Sequence, residues 1–224
     1  MEVLIRDLVY KKDGFYLNIK NLSLKNANIY GILGQNGSGK STLLRILSGN
    51  LKGYEGKVEF CEDENKIYNN ISVLSQKPYL FNCSVEDNIK MSIKWANTSL
   101  DKLSEIVKML KLENLLKRNA TSLSGGEMQR VAIARVIAQS KGLMLFDEPT
   151  ASIDPKNTRI IEEAILNSKK DDRCIVVVTH NIYQAIRLCD RIIFMNMGRI
   201  VEEIDKAHIQ ENEIIREYLL HTSS

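Results

Sequence analysis

The residues Gly34-Gln35-Asn36-Gly37-Ser38-Gly39-Lys40-Ser41-Thr42 have the types and spacing of a loop built to hold phosphate. Gly37 and Gly39 let backbone N–H groups converge on phosphate oxygens, and a helix beginning near Ser41 adds the positive end of its dipole. Lys40 supplies a point charge for β- and γ-phosphates, and the Ser41 hydroxyl suits a magnesium ion. A dinucleotide loop fits less well, because Thr42 stands where G-x-G-x-x-G needs its third glycine. The chemistry is therefore that of a nucleoside triphosphate. Further on, Leu143-Met144-Leu145-Phe146 ends in Asp147 and Glu148. At the end of a buried strand, Asp147 can hold magnesium through its water shell while Glu148 orients and polarises an attacking water, which points to hydrolysis rather than kinase transfer. Ser124-Gly125-Gly126 offers a hydroxyl and two bare N–H groups at the opening of a helix, a second place for an anion.

Positioning these groups takes strands that end in loops. Apolar runs at Val3–Leu8, Tyr30–Leu33, Ser72–Leu74, Leu143–Phe146, Ile175–Thr179 and Arg191–Phe194 read as strands, mostly continuous rather than alternating and so buried on both faces. Helical stretches fall between them at about Ser41–Leu47, Met128–Ala138, Thr158–Leu166 and Ile182–Leu188, an alternation that predicts a parallel sheet covered by helices. The fold class is α/β. From Ser84 to Ser122 only helix signals occur: Ser84-Val85-Glu86-Asp87 and Thr98-Ser99-Leu100-Asp101 fit the capping pattern, and Leu100, Leu103, Ile106, Val107 and Leu110 share a helical face. A helical subdomain at approximately 84–138, inserted into a single domain spanning 1–224, is expected. Near the end of the chain Ile214, Ile215, Tyr218 and Leu219 share a helical face that should pack on its own domain.

With 224 residues, 44% apolar and 26% charged, the chain can bury one sizeable core. Its net charge of +3 is too near balance for the dense basic face that nucleic acid requires, so nucleic acid is not an expected partner. The apolar runs fall short of the roughly 18 residues of a membrane-spanning helix, and Met1-Glu2-Val3 opens no secretory signal. A cytoplasmic protein follows. Cys61, Cys83, Cys174 and Cys189 are too scattered for a C-x-x-C site, and His208 and His221 have no ligand-type spacing, so reduced thiols and no Cys/His metal centre are expected.

Leu123-Ser124-Gly125-Gly126-Glu127 and Leu143 to Thr150, taken with the phosphate loop, resemble the ATP-binding cassette (ABC) ATPase family, whose signature is LSGGQ and whose magnesium strand is four apolar residues followed by DEPT. The resemblance covers essentially residues 1–203. It implies a P-loop NTPase with a RecA-like parallel-sheet core, an N-terminal antiparallel β part and the inserted α-helical subdomain, with ATP and Mg2+ as cofactors. Carried onto this sequence, the nucleotide is held by Gly34, Asn36, Gly37, Ser38, Gly39, Lys40, Ser41 and Thr42, and the metal by Ser41, Asp147 and Gln76. Catalysis falls to Glu148, to His180 as the switch histidine touching the γ-phosphate, and to Gln76, which also meets the helical subdomain. Asp154 is the acid of Ala151-Ser152-Ile153-Asp154, matching the family's SALD loop. In this family two cassettes pair head to tail, so each ATP would lie between Lys40 of one and Ser124, Gly125 and Gly126 of the other.

The implied function is ATP hydrolysis powering import through separate transmembrane permease subunits, on the inner face of the membrane. A second cassette, in the simplest case another copy of this chain, and an extracytoplasmic substrate-binding protein complete the system. The ATPase of an export or lipoprotein-release complex and a soluble non-transport cassette are the alternatives. Arg118-Asn119-Ala120-Thr121 lacks the TEVGE-like loop of exporters, which favours import. Ser75 to Phe81 and Gln184 to Arg191 are similar to cassettes of tungstate, molybdate or phosphate importers. The chain ends about one helix beyond Glu203, so the C-terminal regulatory domain of some sugar importers is not expected. The family's adenine-stacking aromatic is replaced by Lys12; Tyr10, on the same side of the strand, is the expected substitute, with Phe15 and Tyr16 as alternatives. Leu24-Lys25-Asn26-Ala27-Asn28 also lacks the usual Pro-Gly-Glu turn.

Overall fold

The computed structural model describes residues 1–61, 69–209 and 212–215. β1 (Val3–Lys12) and β2 (Phe15–Leu24) alternate buried and open positions, as strands with one solvated face do. They form a hairpin in which Asp13 and Gly14 both take positive φ, 48° and 80°, a turn whose twist matches that of the strands. Its register sets Lys12 opposite Phe15 and Tyr10 opposite Leu17. β4 (Glu55–Phe60) pairs antiparallel with the other edge of β1, giving a three-stranded sheet in the order β2-β1-β4.

The second sheet has β3 (Asn28–Leu33), β5 (Ile71–Leu74), β6 (Leu143–Asp147), β7 (Cys174–Val178), β8 (Arg191–Asn196) and β9 (Arg199–Asp205) in the order β5-β6-β7-β3-β8-β9. All neighbours are parallel except β8 and β9. α1 is Lys40–Leu47, α2 Val85–Ala96, α3 Lys102–Met109, α4 Gly125–Ala138, α5 Pro155–Asn167 and α6 Ile182–Leu188. β6 and β7 are buried at every position, and the pleat splits them between two cores. Met144 and Phe146 face the helical side with residues of α2 to α6, whereas Leu143 and Leu145 face α1 and the three-stranded sheet. α1 is thus held between the two sheets, which fixes the loop leading into it.

Helices occupy the stretch between β5 and β6 as expected, and Ser84 caps α2 by accepting from the Asp87 N–H. The second expected cap does not form. The Thr98 hydroxyl instead donates to Ala138 O at 2.9 Å, α3 starts at Lys102, and Leu100 is exposed beyond the helical face assigned to it. β2, β4 and β9 were not among the strands read from the sequence, because half of each faces outward and carries polar residues. Ile215 is buried and Ile214 packs against the core, while Tyr218 and Leu219 lie outside the described residues. The four cysteines are free thiols, and burial pushes the Cys174 thiol up to about 12. Among the described residues no helix is long and apolar enough to cross a membrane, and no cluster of His, Cys, Asp or Glu could hold a metal by itself.

Candidate active site

β3 delivers the chain to Gly34, and α1 begins six residues later at Lys40. Gly39 caps α1 with a left-handed φ of 103° and no side chain, so no side-chain acceptor occupies the first-turn N–H groups. The loop is tight there: a Cβ at residue 39 would stand 3.0 Å from Leu17 Cδ1 and 3.1 Å from Phe15 Cζ. Lys40 is buried and donates to the carbonyls of Gly34 at 2.8 Å and Gln35 at 2.9 Å. Burial lowers its pKa, opposed by the charges of Glu148 and Asp147. Ser38 turns inward, with its N–H on Gln35 O at 3.1 Å and its buried hydroxyl without a hydrogen-bond partner. Asn36, Gly37, Gly39, Lys40, Ser41 and Thr42 line a cleft of about 280 Å³, and Gln76, Asp147, Glu148, Val178 and Phe15 close it.

The parallel register brings the acids to this cleft, since β6 pairs with β7 and β7 with β3. The Ser41 hydroxyl lies 3.4 Å from Asp147 Oδ1. Burial raises the Asp147 pKa above the ordinary carboxylate value, and the Ser41 hydrogen bond partly counters it. Glu148 has a φ of 50°, unfavourable for a residue with a side chain and costing on the order of 1–3 kcal/mol. Two backbone bonds hold it there: Glu148 N–H to Val178 O at 2.9 Å, and Ala151 N–H to Glu148 O at 3.2 Å. Its Oε1 meets Nδ1 of His180 at 2.9 Å, and the His180 ring is largely open to solvent.

Other expected residues lie elsewhere. Ser124 caps α4 with a reciprocal pair of bonds: Glu127 N–H donates to Ser124 Oγ, and Ser124 N–H donates to Glu127 Oε2 at 2.8 Å. The backbone bond lowers the Glu127 pKa. Ser124 and Gly125 are exposed and, like Gly126, do not line the cleft. Asp154 caps α5 by accepting from the N–H groups of Lys156 and Asn157, also away from the cleft. Tyr10 is a correction. It is 8% exposed and packs in the core opposite Leu17, so its ring cannot stack on a base. Phe15, the hairpin partner of Lys12, reaches the cleft instead. The Asp13-Gly14 turn between alternating runs was the signal for this, since it fixes which residues oppose each other.

Two buried amides to which the sequence assigned no role hold the turn after Glu148. Gln129 Nε2 donates to Pro149 O at 2.9 Å, and Gln184 Nε2 donates to Thr150 Oγ1 at 2.6 Å. Gln184 also lies 3.3 Å from Glu162, which Arg187 grips through two nitrogens at 2.9 and 2.6 Å. A glutamine inside a helix has no pattern that separates a buried clamp from a surface residue.

The sequence pattern of the family described as "ABC transporter" matches residues 17–151. The chain belongs to the ABC transporter family. It is 40% identical over 192 residues to the tungstate uptake system ATP-binding protein TupC of Peptoclostridium acidaminophilum, spanning 83% of this chain and 90% of that protein. To the phosphate import ATP-binding protein PstB of Borreliella afzelii (strain PKo) it is 38% identical over 209 residues, spanning 84% and 80%. The solved structure of cbiO1 from Clostridium perfringens, part of the ABC transporter complex cbiONQ, superposes with a TM-score of 0.80 at 28% identity, covering 97% of this chain and 94% of that one. The cassette therefore has the P-loop fold of ABC ATPases, binds ATP and is an ATPase coupled to transport. These relatives are named as ATP-binding proteins of an uptake system and of phosphate import, and cbiO1 as part of a transporter complex. Within the cleft the Ser41 hydroxyl, the Asp147 carboxylate and the Gln76 amide are oxygen donors of the hard type that magnesium takes, so this cassette's residues fit that ion.

Proposed function

We propose that this cassette is one half of a composite ATPase that drives an importer. The observation that carries the reading is the separation of two anion sites. Lys40, Ser41, Gln76, Asp147 and Glu148 surround one cleft, whereas the Ser124-Gly125-Gly126 end of α4 is exposed and outside it. A second cassette, turned head to tail, brings its own Ser124 over the nucleotide held by the first. The single domain of residues 1–224, with its helical insertion at approximately 84–138, serves to hold that second site at a distance.

In this reading Gly34, Asn36, Gly37, Ser38, Gly39 and Thr42 form the backbone cradle, and Lys40 exchanges a loop carbonyl for phosphate oxygens. Ser41, Asp147 and Gln76 would hold magnesium, which would supply charge neutralisation for the phosphates. Glu148 takes a proton from the attacking water, and His180, already 2.9 Å from Glu148, holds that carboxylate and reaches the γ-phosphate. Asp154 braces the start of α5 near the partner. Phe15 stacks on adenine. TupC and PstB, the relatives described above, carry tungstate and phosphate in their names, which supports a tetrahedral oxyanion as cargo. An exposed aromatic patch supports a membrane partner: Tyr79, three residues after Gln76, and Trp95 are 72% and 63% exposed and flank Phe81 edge-on at 5.5 Å each. The permease subunits seat there, with the cassette on the inner face of the membrane and a substrate-binding protein on the other.

The test is the mass in solution of Glu148→Gln, by light scattering after size exclusion, with and without ATP and magnesium. A monomer that becomes a dimer with ATP supports the shared site. A monomer that binds ATP and stays a monomer refutes a homodimeric cassette acting on its own.

A further inference from the structure

The turn that carries Glu148 is held from a direction the proposed reaction does not use. Gln129 sits on α4 five residues beyond Ser124, about 7.5 Å along the helix axis. It is buried, and its Nε2 donates to the carbonyl of Pro149, the residue after Glu148. Proline has no N–H, so this carbonyl is its only backbone polar group, and the locked φ leaves ψ as the one backbone rotation between the Glu148–Pro149 peptide and the carbonyl that Gln129 holds. Glu148 in turn is held at its unfavourable φ by the backbone bonds to Val178 and Ala151. A shift of α4 therefore reaches the Glu148 backbone through one buried hydrogen bond and a residue with a single free backbone rotation.

We propose that Gln129 is a positioning residue that reports engagement of a cassette's own signature end to that cassette's own Glu148. The inference rests on the head-to-tail reading above. Ser124 would engage the nucleotide bound by the partner, whereas Gln129 acts on the site of its own chain. Binding ATP at one site then sets the catalytic turn of the other, and hydrolysis is cooperative in ATP. Gln184 provides the contrast. It holds Thr150 of the same turn, but from α6, which does not carry the signature. Its loss loosens the turn without cutting the link to α4.

The experiment compares Gln129→Met, Gln129→Glu and Gln184→Met with the wild type. ATPase rate is measured against ATP concentration, alongside ATP affinity of the monomer and ATP-driven dimerisation in a Glu148→Gln background. The wild type should show a Hill coefficient between 1 and 2, the bound for two coupled sites. Both Gln129 variants should keep affinity within about twofold and keep dimerising, yet lose about tenfold in kcat, equivalent to about 1.4 kcal/mol, with the Hill coefficient falling to about 1. Gln184→Met should lower kcat and leave the Hill coefficient unchanged. Gln129→Glu keeps the shape and makes the bond depend on protonation, so its loss of rate and cooperativity should deepen as the carboxyl ionises with rising pH, which reads the bond even where methionine disturbs packing. Wild-type cooperativity in both Gln129 variants overturns the proposal, as does an equal loss of cooperativity in Gln184→Met. Failure of Glu148→Gln to dimerise with ATP counts against the head-to-tail reading itself, and so separates the two.

Discussion

Gly125→Ala separates what the folded monomer requires from what a second molecule requires. Gly125 opens α4, has no left-handed φ, and no atom lies within 4 Å of a Cβ built on it. Alanine is the better helix former, so nothing in the monomer opposes the change. Stability should move by no more than about 0.5 kcal/mol, or roughly 1–2 °C in Tm for a chain of this size. If a partner's phosphate rests on the bare N–H groups of Ser124 to Gly126, the new methyl displaces it by on the order of 1 Å, a misplacement that costs about a hundredfold in rate. Differential scanning without nucleotide and steady-state ATPase on the same preparation give both numbers. Full activity at unchanged Tm would refute the argument that phosphate approaches this backbone. Gly126→Ala is the companion. A Cβ there would lie 2.5 Å from Asn157 Nδ2 and 2.8 Å from its Cγ, so that variant must also move Asn157 off Asp154 and lower the Tm of the monomer.

Phe15→Ala should weaken ATP about 5- to 150-fold by titration calorimetry, the range of a base stack worth about 1–3 kcal/mol, while Tyr10→Phe leaves affinity unchanged; the opposite pattern would return the role to Tyr10. Lys40→Ala removes a charged donor worth about 1.5–3 kcal/mol, so nucleotide affinity should fall about 10- to 150-fold, and normal affinity would exclude Lys40 from the phosphate site. Asp147→Asn should abolish magnesium-dependent hydrolysis yet leave the nucleotide-free protein at least as stable near pH 7. Burial raises the Asp147 pKa, so the protonated form is favoured in the fold, and stability is lost as pH rises through the interval between the ordinary value and the raised one. Thermal scans across that interval should show a shallower pH slope in Asp147→Asn, and a clearly less stable variant would contradict the sign.

The parts of the fold readable from sequence were those in which one residue type answers one environment. Leu143 to Phe146 and Ile175 to Val178 are apolar throughout because both of their faces are covered, and the acids and His180 fall at their ends. β9, Arg199-Ile200-Val201-Glu202-Glu203-Ile204-Asp205, mixes charges with apolar residues because it is an edge strand, and only its pairing with β8 makes it a strand. The phosphate loop could be read because its function is written in backbone and glycine. Gln129 and Gln184 could not, since each acts through a residue 20 or 34 positions away, whereas Phe15 stood among the alternatives and the hairpin register decides for it.

Lys12 and Phe15 stand directly opposite each other in the β1–β2 hairpin, and directly paired side chains project from the same face of a sheet. Two positions three apart in the linear order are thus one address on the molecular surface. A ring placed at either position would stand on the same face with the backbone unchanged. Comparison column by column sees only residue 12, whereas the surface presents residues 12 and 15 together, one from each strand.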